Sequence, residues 1–229
     1  MKPYYEDDLV RLFHGDCREI VAWLTADVLV TDPPYGVSMG TLRRNRNKAA
    51  ITGEVWTGHA SDREVPREHV QVRDDALALW GDKPALVFGS WRAPKPDRTR
   101  MRLIWDKGYL FPGGVHPFRP CDEEIYVCGA WPNPKNRKGS NVPGIIRVKG
   151  LRGAKRPDHP TPKPVGLMEL LIAKCPAGVI ADPFAGSGAT LIAAKLQGRR
   201  CIGVEVELRY CRLIAARLAQ DALPFGAVS

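Results

Sequence analysis

The chain has 229 residues, 44% of them hydrophobic, and a formal net charge of +9 at pH 7. That length supports one domain, residues 1–229, with a full core that buries roughly 70% of the unfolded surface. No apolar run approaches the ~20 residues of a bilayer crossing, and the N-terminal Met-Lys-Pro-Tyr-Tyr-Glu-Asp-Asp has neither the apolar stretch nor the cleavage site of an export signal, so a cytoplasmic protein without membrane association is expected.

In chain order, Leu9 to Phe13 is predicted as a short strand, His14-Gly15-Asp16 as a turn, and Cys17 to Leu24 as a helix with Ile20, Val21 and Leu24 on one face. Val28 to Thr31 is a continuous apolar run of the kind buried in a parallel sheet. Residues 36–65 are polar, basic and glycine-containing, and read as a flexible loop. A helix is predicted over Glu68 to Trp80, with Val72, Ala76, Leu79 and Trp80 inward. Strands follow at Ala85 to Phe88, Arg102 to Trp105 and Glu124 to Cys128. Residues 131–160, rich in Pro, Gly and basic side chains, are predicted as a small inserted lobe. A helix over Lys163 to Lys174 has Pro164 in its first turn, where a missing N–H costs nothing. Then come a strand at Val179 to Ala181, a helix at Ala189 to Gln197 closed by Gly198, a strand at Cys201 to Glu205 and a helix at Glu207 to Leu218. Alternating strands and helices define an α/β class with a mostly parallel, doubly wound sheet.

Six cysteines (Cys17, Cys121, Cys128, Cys175, Cys201 and Cys211) include no C-x-x-C pair. Disulfides and zinc are therefore poor expectations, core packing is the better one, and no metal centre is expected. Charge is unevenly spread. Lys135, Arg137, Lys138, Arg147, Lys149, Arg152, Lys155 and Arg156 fall in a stretch with no acidic residue, and Arg43, Arg44, Arg46 and Lys48 form a second cluster. Either cluster alone serves equally well as a solvated face. Together, placed beside and between strand ends, they favour a nucleic-acid groove.

Two strand ends carry Asp-Pro. Val179-Ile180-Ala181 runs into Asp182-Pro183-Phe184-Ala185-Gly186-Ser187-Gly188, and Glu205 ends the next strand 23 residues after Asp182. Glycines let backbone approach a ligand, a helix start offers free N–H groups, and an acidic strand end accepts hydrogen bonds from a ribose. The pattern reads as an adenosine site; a tight strand-to-helix turn without function is the plain alternative. The other end is Asp32-Pro33-Pro34-Tyr35. A nucleobase amine is a weak nucleophile because its lone pair is delocalised into the ring, and two acceptors on its hydrogens draw that pair back to nitrogen. The Asp32 carboxylate is one acceptor. The Pro33 carbonyl, pre-aimed by two consecutive prolines, is the other, and Tyr35 offers a face on which an extruded base stacks.

In order, Leu12-Phe13-His14-Gly15-Asp16, Thr31 to Tyr35, His159-Pro160-Thr161-Pro162-Lys163-Pro164, Asp182 to Thr190 and Gly203-Val204-Glu205 give the chain a resemblance to the beta-class DNA amino-methyltransferases, N6-adenine or N4-cytosine. The resemblance implies a Rossmann-like, circularly permuted methyltransferase fold with a seven-stranded sheet, in which Leu9 to Phe13 lies beside the strand of Glu205, and a small recognition lobe. It implies S-adenosylmethionine as methyl donor, double-stranded DNA as partner, and allows a homodimer. By position, Asp16 would meet the adenine edge, Glu205 the ribose, Asp182, Phe184, Gly186, Ser187 and Gly188 the glycine turn, and Thr161 with Lys163 the methionyl end. Asp32, Pro33, Pro34 and Tyr35 would be catalytic. Pro162 and Ala189 stand where family members commonly have glutamine and threonine, and His159 reads equally as a cofactor contact or an oriented loop residue. Asp at the head of the tetrapeptide resembles the adenine-modifying members. The alternatives are N4-cytosine methylation, methylation of RNA, or an inactive DNA-binding protein.

Overall fold

A computed structural model describes residues 1–34, 67–108, 121–132, 143–151 and 162–220. Among these residues nine strands form one sheet: β1 (Tyr5–Glu6), β2 (Val10–His14), β3 (Val28–Thr31), β4 (Ala85–Gly89), β5 (Thr99–Asp106), β6 (Asp122–Cys128), β7 (Ile145–Arg147), β8 (Ile180–Asp182) and β9 (Cys201–Glu205), in the order β1-β2-β9-β8-β3-β4-β6-β5-β7. Four α-helices accompany it: α1 (Arg67–Trp80), α2 (Val165–Ile172), α3 (Ala189–Leu196) and α4 (Leu208–Gln220).

Helices cover both faces, which is why β3 is buried at all four positions. Successive side chains of a strand point to opposite faces. Val28 and Val30 accordingly pack with Leu167, Ile172 and Leu191, whereas Leu29 joins Trp23, Ala76 and Trp80 in a second cluster. Trp23 and Trp80 stack with ring centroids 5.7 Å apart. Each such buried aliphatic side chain contributes about 1.5–3 kcal/mol.

The expected seven strands become nine. The strands from β2 to β5 in spatial order form a seven-strand body, and two short strands extend it, β1 antiparallel to β2 and β7 parallel to β5. Neither two-residue β1 nor three-residue β7 has the run of apolar residues that marks a strand in sequence. The helix expected over Cys17 to Leu24 is only a 3-10 segment, Val21–Thr25. The Asp16 carbonyl accepts the Glu19 and Ile20 N–H groups in a turn instead. Pro164 is not inside the first turn of α2. It is the residue before it, with ψ 133°, and that extended conformation delays the helix to Val165. Leu79 is 47% exposed rather than inward, while Arg73 is buried on α1, its guanidinium held by Asp74 and the Pro94 carbonyl. Residues 36–65 and most of 131–160 lie outside the described residues.

Strands β2, β9, β8, β3 and β4 run parallel and bring their carboxyl ends to one edge, with His14 opposite Glu205 and Asp182 opposite Gly203. β6 runs the other way and starts at that edge, Glu124 opposite Gly89 and Asp122 opposite Asp106 at the end of β5. Residues from opposite ends of the chain therefore meet along one line.

Candidate active site

Asp32 follows β3 directly, and Pro33 and Pro34 continue from it, the first buried and the second exposed. One carboxylate oxygen is engaged: Lys163 Nζ donates to Asp32 Oδ2 at 2.6 Å. The other, Oδ1, is buried and has no hydrogen-bond partner among the described residues. Burial pushes the Asp32 carboxyl above its usual range, the Lys163 ammonium opposes the shift, and Glu123 adds to it.

Lys163, immediately before Pro164, has its ammonium on Asp32 and also 3.0 Å from Glu123 Oε2. Glu123 Oε1 in turn lies 2.7 Å from Lys107 Nζ. Four alternating charges thus cross from the end of β3 through the start of α2 to β6 and the end of β5. The ring of Phe88 sits 5.0 Å from the Lys163 ammonium. Neither Glu123 nor Lys107 stands out in the sequence. The one available signal is an acidic run, Asp122-Glu123-Glu124, entering a strand that continues with Ile125, Tyr126, Val127 and Cys128, all but Val127 buried.

The glycine turn follows β8, the strand next to β3. Gly186 and Gly188 adopt φ of 53° and 82°, a left-handed conformation that L side chains rarely adopt. Glu205 Oε2 accepts the Gly186 N–H at 2.7 Å and Oε1 the Glu207 N–H at 2.8 Å, so one carboxylate holds the turn and the start of α4. Burial raises the Glu205 carboxyl, and those N–H groups oppose the rise. Asp182 Oδ1 accepts from Thr31 Oγ1 at 2.6 Å and from the Phe184 N–H at 3.2 Å, which ties β8 to β3. Ser187 is buried, its carbonyl accepting from Arg217 of α4, and Phe184 is half-buried beside the turn. Asp16, past the end of β2, is bound by Arg18, which donates to both carboxylate oxygens, the shorter contact 2.6 Å.

A carboxylate at one strand end, a glycine turn with helix-start N–H groups at the next and an aromatic ring beside them form a donor set that suits an adenosine. Asp16, Glu205, Asp182 and Asp32 follow one another along four adjacent strands. Tyr35, Thr161, His159, Arg43, Arg44, Arg46, Lys48, Lys135, Arg137, Lys138, Arg152, Lys155 and Arg156 lie outside the described residues. Arg147 and Lys149, in and after the outer strand β7, are exposed, and Arg147 Nε is 3.3 Å from Asp106 Oδ2.

Residues 43–216 match the family model described as DNA methylase, a span that begins after Asp32. The chain is 29% identical to the putative methylase YubD of Escherichia coli (strain K12), with 96% of this chain and 95% of the relative covered. It is 26% identical to the type II methyltransferase M.ScaI of Streptomyces caespitosus, with 96% and 85% covered. Among solved structures, the M1.HpyAVI–SAM complex superposes with a TM-score of 0.59 at 22% identity, over 92% of this chain and 99% of that one.

Proposed function

This chain belongs to the DNA methylase family, and from that premise we propose that it transfers a methyl group from S-adenosylmethionine to the exocyclic amine of adenine in double-stranded DNA, acting on a base extruded from the helix. The observation that carries the reading is Asp32, whose Oδ2 is fixed by Lys163 while its buried Oδ1 has no partner among the described residues. A carboxylate held by one oxygen presents the other as an oriented acceptor.

The carbonyl of Pro33, in a proline pair that restricts φ, supplies a second acceptor for the same amine. Two acceptors on the amine hydrogens favour the pyramidal nitrogen that attacks carbon, and they do so without reorganisation when prefixed in a protein site. Tyr35 provides the face on which the base stacks. S-adenosylmethionine, bound at the glycine turn, supplies an electrophilic methyl on a sulfonium. Glu205 would accept from its ribose, the Gly186–Gly188 turn would carry its backbone contacts, and Asp16 would meet its adenine edge. Adenine is the favoured base because an aspartate heads the tetrapeptide. The position of β2 beside β9, with the Asp32 motif preceding the glycine turn in the chain, supports a circularly permuted methyltransferase sheet. The basic residues of 131–160 and 43–48 are assigned to the DNA groove.

The test is direct. Incubation with labelled S-adenosylmethionine and DNA or RNA, digestion, and mass spectrometry of the nucleosides should yield N6-methyladenine from DNA. N4-methylcytosine alone, or label in RNA alone, overturns the assignment of the base or the polymer. Asp32→Ala should lower the methylation rate by at least about 100–1,000-fold while cofactor affinity is kept; retained turnover would sink the role given to Asp32.

A further inference from the structure

The family assignment and the tetrapeptide explain Asp32 but leave the charges behind it unexplained. Lys163 is 4% exposed at its side chain and Lys107 9%, and each is committed to Glu123, which is itself 17% exposed. Neutrality alone does not call for this arrangement, since Asp32 and Lys163 already cancel. Two further charges held largely out of water carry a desolvation cost before pairing, so their placement needs another reason.

Rigidity supplies one. A lysine amine ends a four-carbon stem and rotates freely when it has a single partner. Glu123, by contrast, stands on a strand paired on both sides, opposite Trp105 of β5 and next to Glu124, which pairs Gly89 of β4. Its Oε2, which accepts no hydrogen bond among the described residues, lies 3.0 Å from the ammonium as an ion pair and gives it a second anchor, and Lys107 at the end of β5 lies 2.7 Å from Oε1.

We propose that Glu123 is a positioning residue for Asp32: acting through Lys163, it fixes the carboxylate and sets how readily that carboxylate takes a proton. The proposal rests on the reading of Asp32 as acceptor of the target amine. Electrostatics gives it a sign. An ammonium shared between two carboxylates withdraws less charge from each than one devoted to a single partner, so Glu123 keeps Asp32 a stronger acceptor than a plain ion pair would. Among the described residues, the charges that act most strongly on Asp32 are Lys163 from the start of α2, Glu123 from β6 and Lys107 from the end of β5. Asp182 on β8 feels the Asp32 charge as well.

The experiment measures kcat as a function of pH at saturating DNA and cofactor, together with cofactor affinity and thermal melting. Glu123→Gln keeps the shape and removes the charge. Its acid limb should move to lower pH by about one unit, and its plateau kcat should fall about tenfold with the KM for cofactor unchanged. Lys107→Met leaves Glu123 to pull harder on Lys163, and should move the limb upward, because the coupled carboxylates then hold a proton to higher pH. Opposite shifts support the proposal. Limbs that stay in place, or move together, overturn it, as does a Glu123→Gln enzyme with full kcat. If Glu123→Gln does not fold, the direction of the Lys107→Met shift decides alone. Failure of the wild type to methylate DNA would refute the functional reading instead, so the two failures are distinguishable.

Discussion

Asp32 and Asp182 each precede a proline at the end of neighbouring parallel strands, and their surroundings divide their roles. Asp182 is 3% exposed, accepts from Thr31 and the Phe184 N–H, and is pushed by burial to about 6, with the Thr190 and Thr31 hydroxyls opposing the rise. Such a carboxyl binds its proton more tightly folded than unfolded, where it titrates near 3.8. Above pH 6 it is ionised in both states and the burial cost is present in full. As pH falls from about 6 to about 4, only the folded form takes up the proton, and the native state gains about 3 kcal/mol. Asp182→Asn removes the titration while keeping an acceptor for Thr31. The stability difference between variant and wild type, read from denaturant midpoints, should therefore change by about that amount between pH 7 and pH 4 in favour of the wild type. A difference flat with pH would show that Asp182 titrates normally in the fold.

At the scale of elements, most of the sheet is written in local pattern. The apolar runs at Val28, Ala85 and Cys201 are long enough and bounded sharply enough to be read as strands, and each is fully buried in place. The limits of local reading are equally physical. β5 extends back to Thr99 because Thr99 and Met101 pair with Cys128 and Val127 of β6 on either side of an irregularity at Arg100, which no periodicity reveals. Asp16, Asp32, Asp182 and Glu205 are legible because each ends or follows a predicted strand. Glu123 is not, because it lies at the start of β6, and only the reversal of that strand brings its first residues to the edge where the others end. The glycine turn supplies the test at this scale. Gly188 precedes α3 with φ 82°, and a Cβ there would stand 2.9 Å from Ile214 Cγ1 on α4. Gly188→Ala carries left-handed strain of roughly 1–2 kcal/mol on top of that overlap. A loss of about 2 kcal/mol, or about 4–8 °C in Tm, should appear together with weaker S-adenosylmethionine binding by calorimetry. Unchanged melting and unchanged binding would mean that α4 withdraws without consequence.

For the whole molecule the governing quantity is charge. A net +9 concentrated in stretches such as Arg43 to Lys48 and Lys135 to Arg156 gives the long-range attraction that a polyanion would feel, while the sheet edge itself carries Asp16, Asp32, Asp182 and Glu205. Attraction and chemistry are thus assigned to different residues, and they separate experimentally. Each phosphate neutralised by a lysine or arginine releases counterion, so the logarithm of the DNA association constant should fall linearly with the logarithm of salt concentration, with a slope near −0.9 per phosphate contact. Replacing Arg43, Arg44, Arg46 and Lys48 together by glutamine should make that slope shallower by about three to four, if all four contact phosphate. Because phosphate contacts carry no sequence information, the loss of affinity should be nearly equal for DNA with and without the target site. S-adenosylmethionine affinity, which the proposed function assigns to the glycine turn and Glu205, should not follow the change. A salt slope identical to that of the wild type would return the cluster to a solvated face, and a loss confined to target-bearing DNA would make it a reader of bases rather than of backbone.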